Sequence, residues 1–309
     1  MPERDGYIPG VPCWVDASEP DPEAAVDFYG GLFGWQFEDV MPPNSEGKYF
    51  VARCETTGWS LFDMSGDLRS GDVAAVGSIP EAAPPTAMWN TYFWVASADE
   101  AASKIRDAGG VVVVEPFDFM DACRMAVFTD PQGAAFCVWE AKEHRGARVV
   151  NDPGSLNFNG LNTRDVEGAK SFFGSVFGWQ TLALDGGVEM WTLPGYGDYL
   201  ERYHPDLRKR WAEAGAPEGF EDVVATINPI ADDQPNTPAH WGVTFAVDDA
   251  DATAAKATEL GGRVIVPPFD APWVRMAVIA DPQGATFIAS KFVPENKDLG
   301  GQADAAGSG

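Results

Sequence analysis

The sequence lacks long apolar runs and is poor in basic residues. No stretch of about 18 apolar residues occurs, which excludes a membrane-spanning helix. The 309 residues include 21 Lys and Arg against 47 Asp and Glu, a net charge of −26 at pH 7. A field of this sign disfavours nucleic acid and anionic membranes, and it attracts cationic small molecules. Met1–Gly10 has neither the basic nor the apolar region of a signal peptide, so we expect a soluble, cytoplasmic protein.

Cysteine and histidine are also scarce, and several common catalytic motifs are missing. The four cysteines all lie in the first half of the chain, so free thiols are expected rather than a disulfide framework. The sequence has no phosphate-binding glycine loop, dinucleotide fingerprint, zinc-ligand spacing or nucleophile elbow. The histidines are His144, His204 and His240.

What the sequence does have is an internal duplication. Arg124–Phe136 and Arg275–Phe287 differ at only three of 13 positions. Phe28–Gln36 and Phe172–Gln180 form a second similar pair in the same order. The offsets are 151 and 144 residues, so the repeat is a duplicated domain and not a solenoid unit.

Each half reads as two βαβββ units. In the first unit Asp21 is a predicted N-cap, Pro22 suits the first helical position and Gly34 ends the helix. Strands are predicted at Lys48–Cys54 and Gly58–Met64, and residues 65–87, rich in Gly, Ala and Pro, are expected to link the two units. The second half carries an insertion at Gly195–Ile230 with a helix near Asp206–Ala214.

These elements predict an α+β protein of two tandem domains. The expected limits are 1–148 for the first domain, 149–154 for a linker, 155–294 for the second domain and 295–309 for a disordered tail.

The paired βαβββ units, the Phe-Tyr-x-x-Leu-Phe-Gly-Trp helix end and the Asp-Pro-x-Gly hairpin resemble the vicinal oxygen chelate superfamily. That superfamily includes glyoxalase I, extradiol dioxygenases and bleomycin-resistance proteins. The resemblance implies two glyoxalase-like domains, in each of which two units form a cupped mixed sheet around a small molecule.

The resemblance also implies where a divalent metal would be held. Its ligand positions correspond here to Trp14, Asn90, Cys137, Phe158, Gly242 and Ile288. None of these is a carboxylate or imidazole, and only Cys137 could bind a soft metal. We therefore expect neither a metal nor another cofactor. His240, two residues before Gly242 and so on the same strand face, keeps a metal-dependent lyase or dioxygenase open as an alternative.

Strand alternation predicts which side chains line the two cups. For the first cup they are Trp14, Asp16, Met88, Asn90, Tyr92, Cys137 and Trp139. Phe117 is expected on a loop that forms a flap over this cup, and Phe158 and His240 belong to the second cup. The first cup is thus the more aromatic, which suits a planar ligand.

The sequence favours a metal-free binding protein for an aromatic, cationic small molecule. Asp16, the one acidic side chain predicted to face the first cup, would meet the cation. Similar two-domain proteins occur in actinobacteria, and some of them accompany pathways to polyaromatic antibiotics, including anthracyclines. The resemblance therefore implies sequestration for self-resistance, or product capture that assists a pathway oxygenase.

An enzyme stays open as the alternative. A cofactor-free isomerase or cyclase would use Asp16 as a base, with Asn90 or Tyr92 as the oxyanion partner. A non-catalytic secreted antigen or signalling protein is a further alternative.

Overall fold

The computed structural model describes residues 6–57, 68–79, 85–184, 188–297 and 299. Within these described ranges the first half holds two helices and eight strands. In chain order they are β1 (Pro12–Glu19), α1 (Pro22–Phe33), β2 (Gln36–Asp39), β3 (Tyr49–Thr57), β4 (Leu68–Ser78), β5 (Met88–Trp94), α2 (Ala98–Asp107), β6 (Val111–Phe119), β7 (Cys123–Thr129) and β8 (Ala135–Ala141).

The second half repeats this order with two added helices. Its elements are β9 (Leu156–Thr163), α3 (Val166–Phe177), β10 (Gln180–Ala183), β11 (Glu189–Thr192), α4 (Tyr196–Glu201), α5 (Leu207–Ala214), β12 (Val223–Pro229), β13 (His240–Ala246), α6 (Ala250–Glu259), β14 (Arg263–Ala271), β15 (Val274–Ala280) and β16 (Thr286–Phe292). No helix within the described residues is both long and apolar enough to cross a membrane.

Each half forms one eight-stranded mixed sheet, which confirms the predicted α+β class. The first sheet has the order β2-β3-β4-β1-β5-β8-β7-β6. The second has the equivalent order β10-β11-β12-β9-β13-β16-β15-β14. In both sheets the first strand of the half is central. β1 runs parallel to β4, and β9 runs parallel to β12.

Local sequence signals explain where the two repeated helices begin and end. Asp21 accepts a hydrogen bond from the Ala24 N–H at 3.1 Å, and Asp165 accepts one from Gly168 at 2.8 Å. Both helices end at a glycine in the left-handed region, Gly34 with φ 73° and Gly178 with φ 74°. These are the capping residues that the sequence predicts for α1.

The chain divides into two compact units that do not coincide with its two halves. One unit comprises Met1–Trp14, Asn90–Gly146 and Phe158–Gly242. The other comprises Val15–Trp89, Ala147–Asn157 and Val243–Gly309. We call the first the inner unit, because its two βαβββ units lie in the middle of the sequence. We call the second the outer unit, because its two βαβββ units lie towards the two ends of the sequence. Each unit therefore takes one βαβββ unit from each half, and the predicted domain limits stay a prediction.

The repeated Asp-Pro-Gln-Gly turn joins the halves within each unit. In the inner unit Gln132 accepts a hydrogen bond from the Asp165 N–H at 3.0 Å and donates to the Asp165 carbonyl at 3.0 Å. In the outer unit Gln283 makes the same pair with Asp21, both at 2.7 Å. Each glutamine thus holds the N-terminus of a helix from the other half of the chain.

The strands that the sequence prediction missed include β4 and β12. β4 lies in residues 65–87, predicted as a link, and β12 lies inside the predicted insertion Gly195–Ile230. The centre of β4 is rich in small residues, and Gly77 is small because the ring of Tyr49 packs against it. A strand built from Gly and Ala is not visible to a search for β-branched and aromatic runs.

Other predicted segments have mixed outcomes. Phe117 lies on β6, opposite Met125 in register, so the predicted flap loop is wrong at this position. The predicted strand Gly58–Met64 lies outside the described residues, as does most of the predicted tail. Pro294–Asn296, at the beginning of that tail, forms one turn of 3-10 helix.

Candidate functional site

Three predicted cup residues meet in the inner unit. The rings of Trp14 and Trp139 lie 6.1 Å apart, centroid to centroid, and Tyr92 meets Trp139 edge-on at 5.6 Å. His144 completes the cluster, 4.6 Å from Trp14 and 5.4 Å from Trp139. We call these four side chains the aromatic cluster. Edge-to-face and offset contacts at these distances stabilise aromatic pairs by about 0.5–1.5 kcal/mol each.

Three side chains of the aromatic cluster are closed to solvent, and His144 is half-buried. Trp14 is 0% exposed, Trp139 3% and Tyr92 4%. The indole N–H of Trp139 donates to the backbone carbonyl of His144 at 3.2 Å, which fixes the chain segment after β8 against the ring. A ligand could reach the faces of Trp14 only if the segment that carries His144 moved.

Gly146 explains how that segment comes so near to β1. Its φ of 78° lies in the left-handed region, and a Cβ there would stand 2.6 Å from the Cys13 carbonyl oxygen. Glycine is the residue that tolerates both the dihedral angle and the close approach. His144 was not among the predicted site residues, because it follows β8 on an irregular segment without a periodic pattern.

Asp16 lies in the outer unit, where it is held by a tyrosine. It is 6% exposed and accepts a hydrogen bond from the Tyr49 hydroxyl at 2.9 Å. The hydrogen bond fixes the orientation of the Asp16 carboxyl group. Tyr49 was not predicted as a site residue.

Small residues on β4 make the contact between Tyr49 and Asp16 possible. Gly77 is paired with Tyr49 in the sheet register, and Ala75 is paired with Asp16. A Cβ on Gly77 would stand 2.8 Å from a ring carbon of Tyr49. The ring therefore crosses β4 where the strand has no side chain.

The second half reverses this pattern of large and small residues. Gly160 occupies the position equivalent to Asp16, and Thr226 and Asn228 occupy those of Ala75 and Gly77. A Cβ on Gly160 would stand 2.5 Å from the Thr226 hydroxyl oxygen and 2.6 Å from the Asn228 amide nitrogen. An uncharged amide thus fills the space that a carboxylate fills in the first half.

The remaining predicted site residues are more scattered. Phe158 and Asn90 are half-buried, whereas Met88 is 45% exposed. Cys137 is buried beside Tyr92 in the strand register. His240 is exposed, with its Nδ1 2.9 Å from the Pro238 carbonyl oxygen.

The donor set does not fit the divalent metal that the resemblance implies. Trp14, at the first of the six ligand positions, is enclosed by other rings, and Phe158, Gly242 and Ile288 offer no donor side chain. Among the described residues no three His, Cys, Asp or Glu side chains lie together as a metal site requires. We therefore derive no chemistry through a metal.

Curated relatives cover nearly the whole chain. It is 38% identical to CFP32 of Mycobacterium tuberculosis over 296 residues, 96% of this chain and 100% of that protein. It is 34% identical to the anthracycline biosynthesis protein DnrV of Streptomyces peucetius over 292 residues, 91% of this chain and 93% of that protein.

Solved structures and a family model agree on the fold. The Mn(II)-bound glyoxalase of Novosphingobium aromaticivorans aligns with a TM-score of 0.54 at 14% identity, covering 92% of this chain and 83% of that one. The 2,3-dioxygenase LapB of Pseudomonas sp. KL28 aligns with 0.56 at 12% identity, covering 92% and 93%. The family model matches twice, at residues 14–138 and 155–288. The chain therefore belongs to the glyoxalase/bleomycin resistance protein/dioxygenase superfamily.

Proposed function

We propose that this chain is a metal-free binding protein for an aromatic, cationic small molecule. The observation that carries the proposal is which residues occupy the positions where the family holds its metal. In the first half, Trp14 stands at one of them, in contact with Trp139, and Asn90 and Cys137 stand at the others. Aromatic walls in place of metal ligands favour the capture of a planar molecule over metal-assisted chemistry.

The charge of the site supports a cationic ligand. Asp16 belongs to the outer unit, and strand alternation along β1 is what assigns it to the predicted first cup. Its carboxylate is directed by Tyr49, and the whole chain carries a net charge of −26. An amine attached to a ring system would meet both a specific carboxylate and an attractive field.

The relatives support the ligand class. DauV and DnrV are named for anthracycline biosynthesis, and this chain matches them along 91% of its length. Anthracyclines combine planar aromatic rings with an amino sugar. Sequestration for self-resistance and product capture beside a pathway oxygenase both fit a protein that binds such a molecule without converting it.

The closed aromatic cluster implies that binding is coupled to a local movement. Because His144 covers Trp14, a ligand ring would have to take the place of the imidazole against Trp14 and Trp139. Binding should then be slower than diffusion and should change the indole environment strongly.

The test is a titration of tryptophan fluorescence with an aminated anthracycline, followed by mass spectrometry of the recovered ligand. Saturable quenching with an unchanged ligand supports binding. A ligand converted without added metal would instead support the cofactor-free isomerase or cyclase, with Asp16 as the base. A protein that neither quenches nor converts any aromatic amine would exclude the proposal.

A further inference from the structure

The outer unit contains a buried chain of hydrogen-bonded side chains, none of which is among the predicted cup residues. The Trp89 indole N–H donates to the Tyr29 hydroxyl oxygen at 3.0 Å, and that hydroxyl donates to Asp281 Oδ2 at 3.0 Å. Asp281 Oδ1 accepts three backbone N–H groups of its own turn, at 2.9, 2.7 and 2.9 Å. Asp281 is thus the acceptor in the hydrogen bond with Tyr29 and in those with its own turn.

Glu19 faces this carboxylate at the end of β1. It is 0% exposed, and its side chain lies within hydrogen-bonding reach of Asp281. Among the described residues neither of its carboxyl oxygens receives a hydrogen bond from a donor. Two carboxylates in contact and away from water repel each other, unless one of them carries a proton. Burial and the neighbouring Asp281 raise the pKa of Glu19 to about 9.

The inner unit offers an internal comparison. At the equivalent positions Thr163 replaces Glu19, Phe173 replaces Tyr29 and Asp130 replaces Asp281. Thr163 accepts a hydrogen bond from Gln132 at 2.6 Å, and Asp130 Oδ2 has no hydrogen-bond partner among the described residues. Glu19 and Tyr29 are therefore present together in one unit and absent together from the other, so the fold does not require them.

We propose that Glu19 binds a proton in the folded protein and donates it to Asp281, forming a proton latch between β1 and the β15–β16 turn. The latch joins residues 262 positions apart in the chain. A bound cation would be the other means of holding two carboxylates together. The geometry favours the proton, because Asp281 Oδ1 is already saturated and Glu19 has no exposed surface through which a hydrated ion could enter.

The latch makes the stability of the outer unit depend on pH in a defined direction. The unfolded chain loses the Glu19 proton near the ordinary value of 4.5, whereas the folded protein retains it up to about 9. The stability that the proton provides is complete below 4.5 and is lost as the pH rises through 9. In that interval the unfolding equilibrium constant increases about tenfold per pH unit from this group alone.

The test compares the native protein with Glu19→Gln, whose amide can donate to Asp281 at every pH. Chemical unfolding between pH 5 and pH 10 measures how the free energy of unfolding depends on pH. Glu19→Gln should remove most of the part of this pH dependence that one bound proton causes. Glu23→Gln removes an exposed carboxylate in the first turn of α1. This variant should leave the pH dependence of unfolding unchanged. Infrared difference spectroscopy at pH 7 should show a protonated-carboxyl band in the native protein that Glu19→Gln abolishes.

Three results would overturn the latch. They are the absence of that infrared band, a Glu19→Gln variant with the native pH dependence, and stabilisation of the native protein but not of Glu19→Gln by millimolar sodium or calcium. The last result would assign the position to a cation. The spectrum is taken on the native protein, so it decides the question even where the variant folds poorly.

Discussion

At the scale of residues, alternation along β1 predicts well which side chains share a face, but it does not reveal their partners. Trp14 does meet Trp139, and Trp139 meets Tyr92, as predicted for residues of one cup, and their role in binding stays a prediction. Tyr49 was missed because its contact with Asp16 crosses β4, a strand that the sequence does not reveal. Partners across a sheet depend on strand order, which a single sequence leaves open.

Asp16→Asn should lower affinity for an aminated aromatic ligand while leaving affinity for its neutral aglycone nearly unchanged. The amide keeps the size of the side chain but removes the charge that meets the amine. Titration calorimetry at about 0.01 M and 0.15 M salt measures both affinities, since the Debye length falls from about 30 Å to 8 Å. The native preference for the amine should shrink as salt is added.

Tyr49→Phe is the matched control for this prediction, because it removes the hydrogen bond to Asp16 but not the charge. It should retain most of the preference for the amine. A native protein that binds amine and aglycone equally, whatever the salt, would show that charge has no part in recognition.

Trp14→Phe should weaken ligand binding more than Phe158→Leu, because the first half carries the aromatic positions. A loss of about 1–3 kcal/mol is expected for an aromatic anchor at the centre of a binding site. Phenylalanine keeps a ring in a fully buried position and limits the cavity that alanine would leave. Equal losses for the two variants, each shown to be folded, would argue that both cups contribute alike.

At the scale of elements, helices were predicted to within a residue or two because their capping residues are local signals. The predicted N-cap Asp21 and helix end Gly34 do bound α1, and the helix predicted near Asp206–Ala214 is α5, Leu207–Ala214. β4 and β12 were missed because their assignment depends on tertiary packing. The segment after β8 was missed for the same reason: Gly146 fixes its path through a contact with β1, not through a local pattern.

Gly146→Ala should destabilise the protein by about 2–4 kcal/mol, from backbone strain at positive φ together with a clash at the Cys13 carbonyl. Gly178→Ala is the matched control, with φ 74° and nothing within 4 Å of its added Cβ. It should cost only about 1 kcal/mol.

Chemical unfolding measures both glycine variants, and tryptophan fluorescence reports whether His144 has left Trp14. Similar losses of stability for the two glycine variants would mean that the segment after β8 adapts at little cost. That segment would then not hold the aromatic cluster closed.

At the scale of the whole molecule, the duplication predicts two sheets of equivalent strand order, as the structure has them. The composition of the compact units is not predictable from the repeat. Which βαβββ units share a core depends on contacts such as Gln132 with Asp165, which could equally well form between other copies of the same motif. The asymmetry between Glu19 and Thr163 is likewise visible only once these partners are known.

Separate expression of residues 1–148 and 149–309 should give fragments that do not unfold cooperatively as monomers, because each compact unit needs strands from both halves. Mixing the fragments should restore cooperative thermal unfolding and a one-to-one complex. Circular dichroism and size-exclusion chromatography measure both. A monomeric first fragment with a sharp transition of its own would show that the halves are independent domains.

The composition of the outer unit also sets the order of events on the ribosome. Val15–Trp89 is synthesised before the segments that complete its core, which begin only at Ala147 and Val243. At about 5–20 residues per second, the intervening chain takes on the order of ten seconds to emerge. During that interval the apolar side of α1 has no partner from the second half, whereas the inner unit can close as soon as Gly242 has left the exit tunnel. Nascent chains should therefore recruit chaperones through Val15–Trp89, and translation pauses before Val243 has emerged should lower the yield of folded protein.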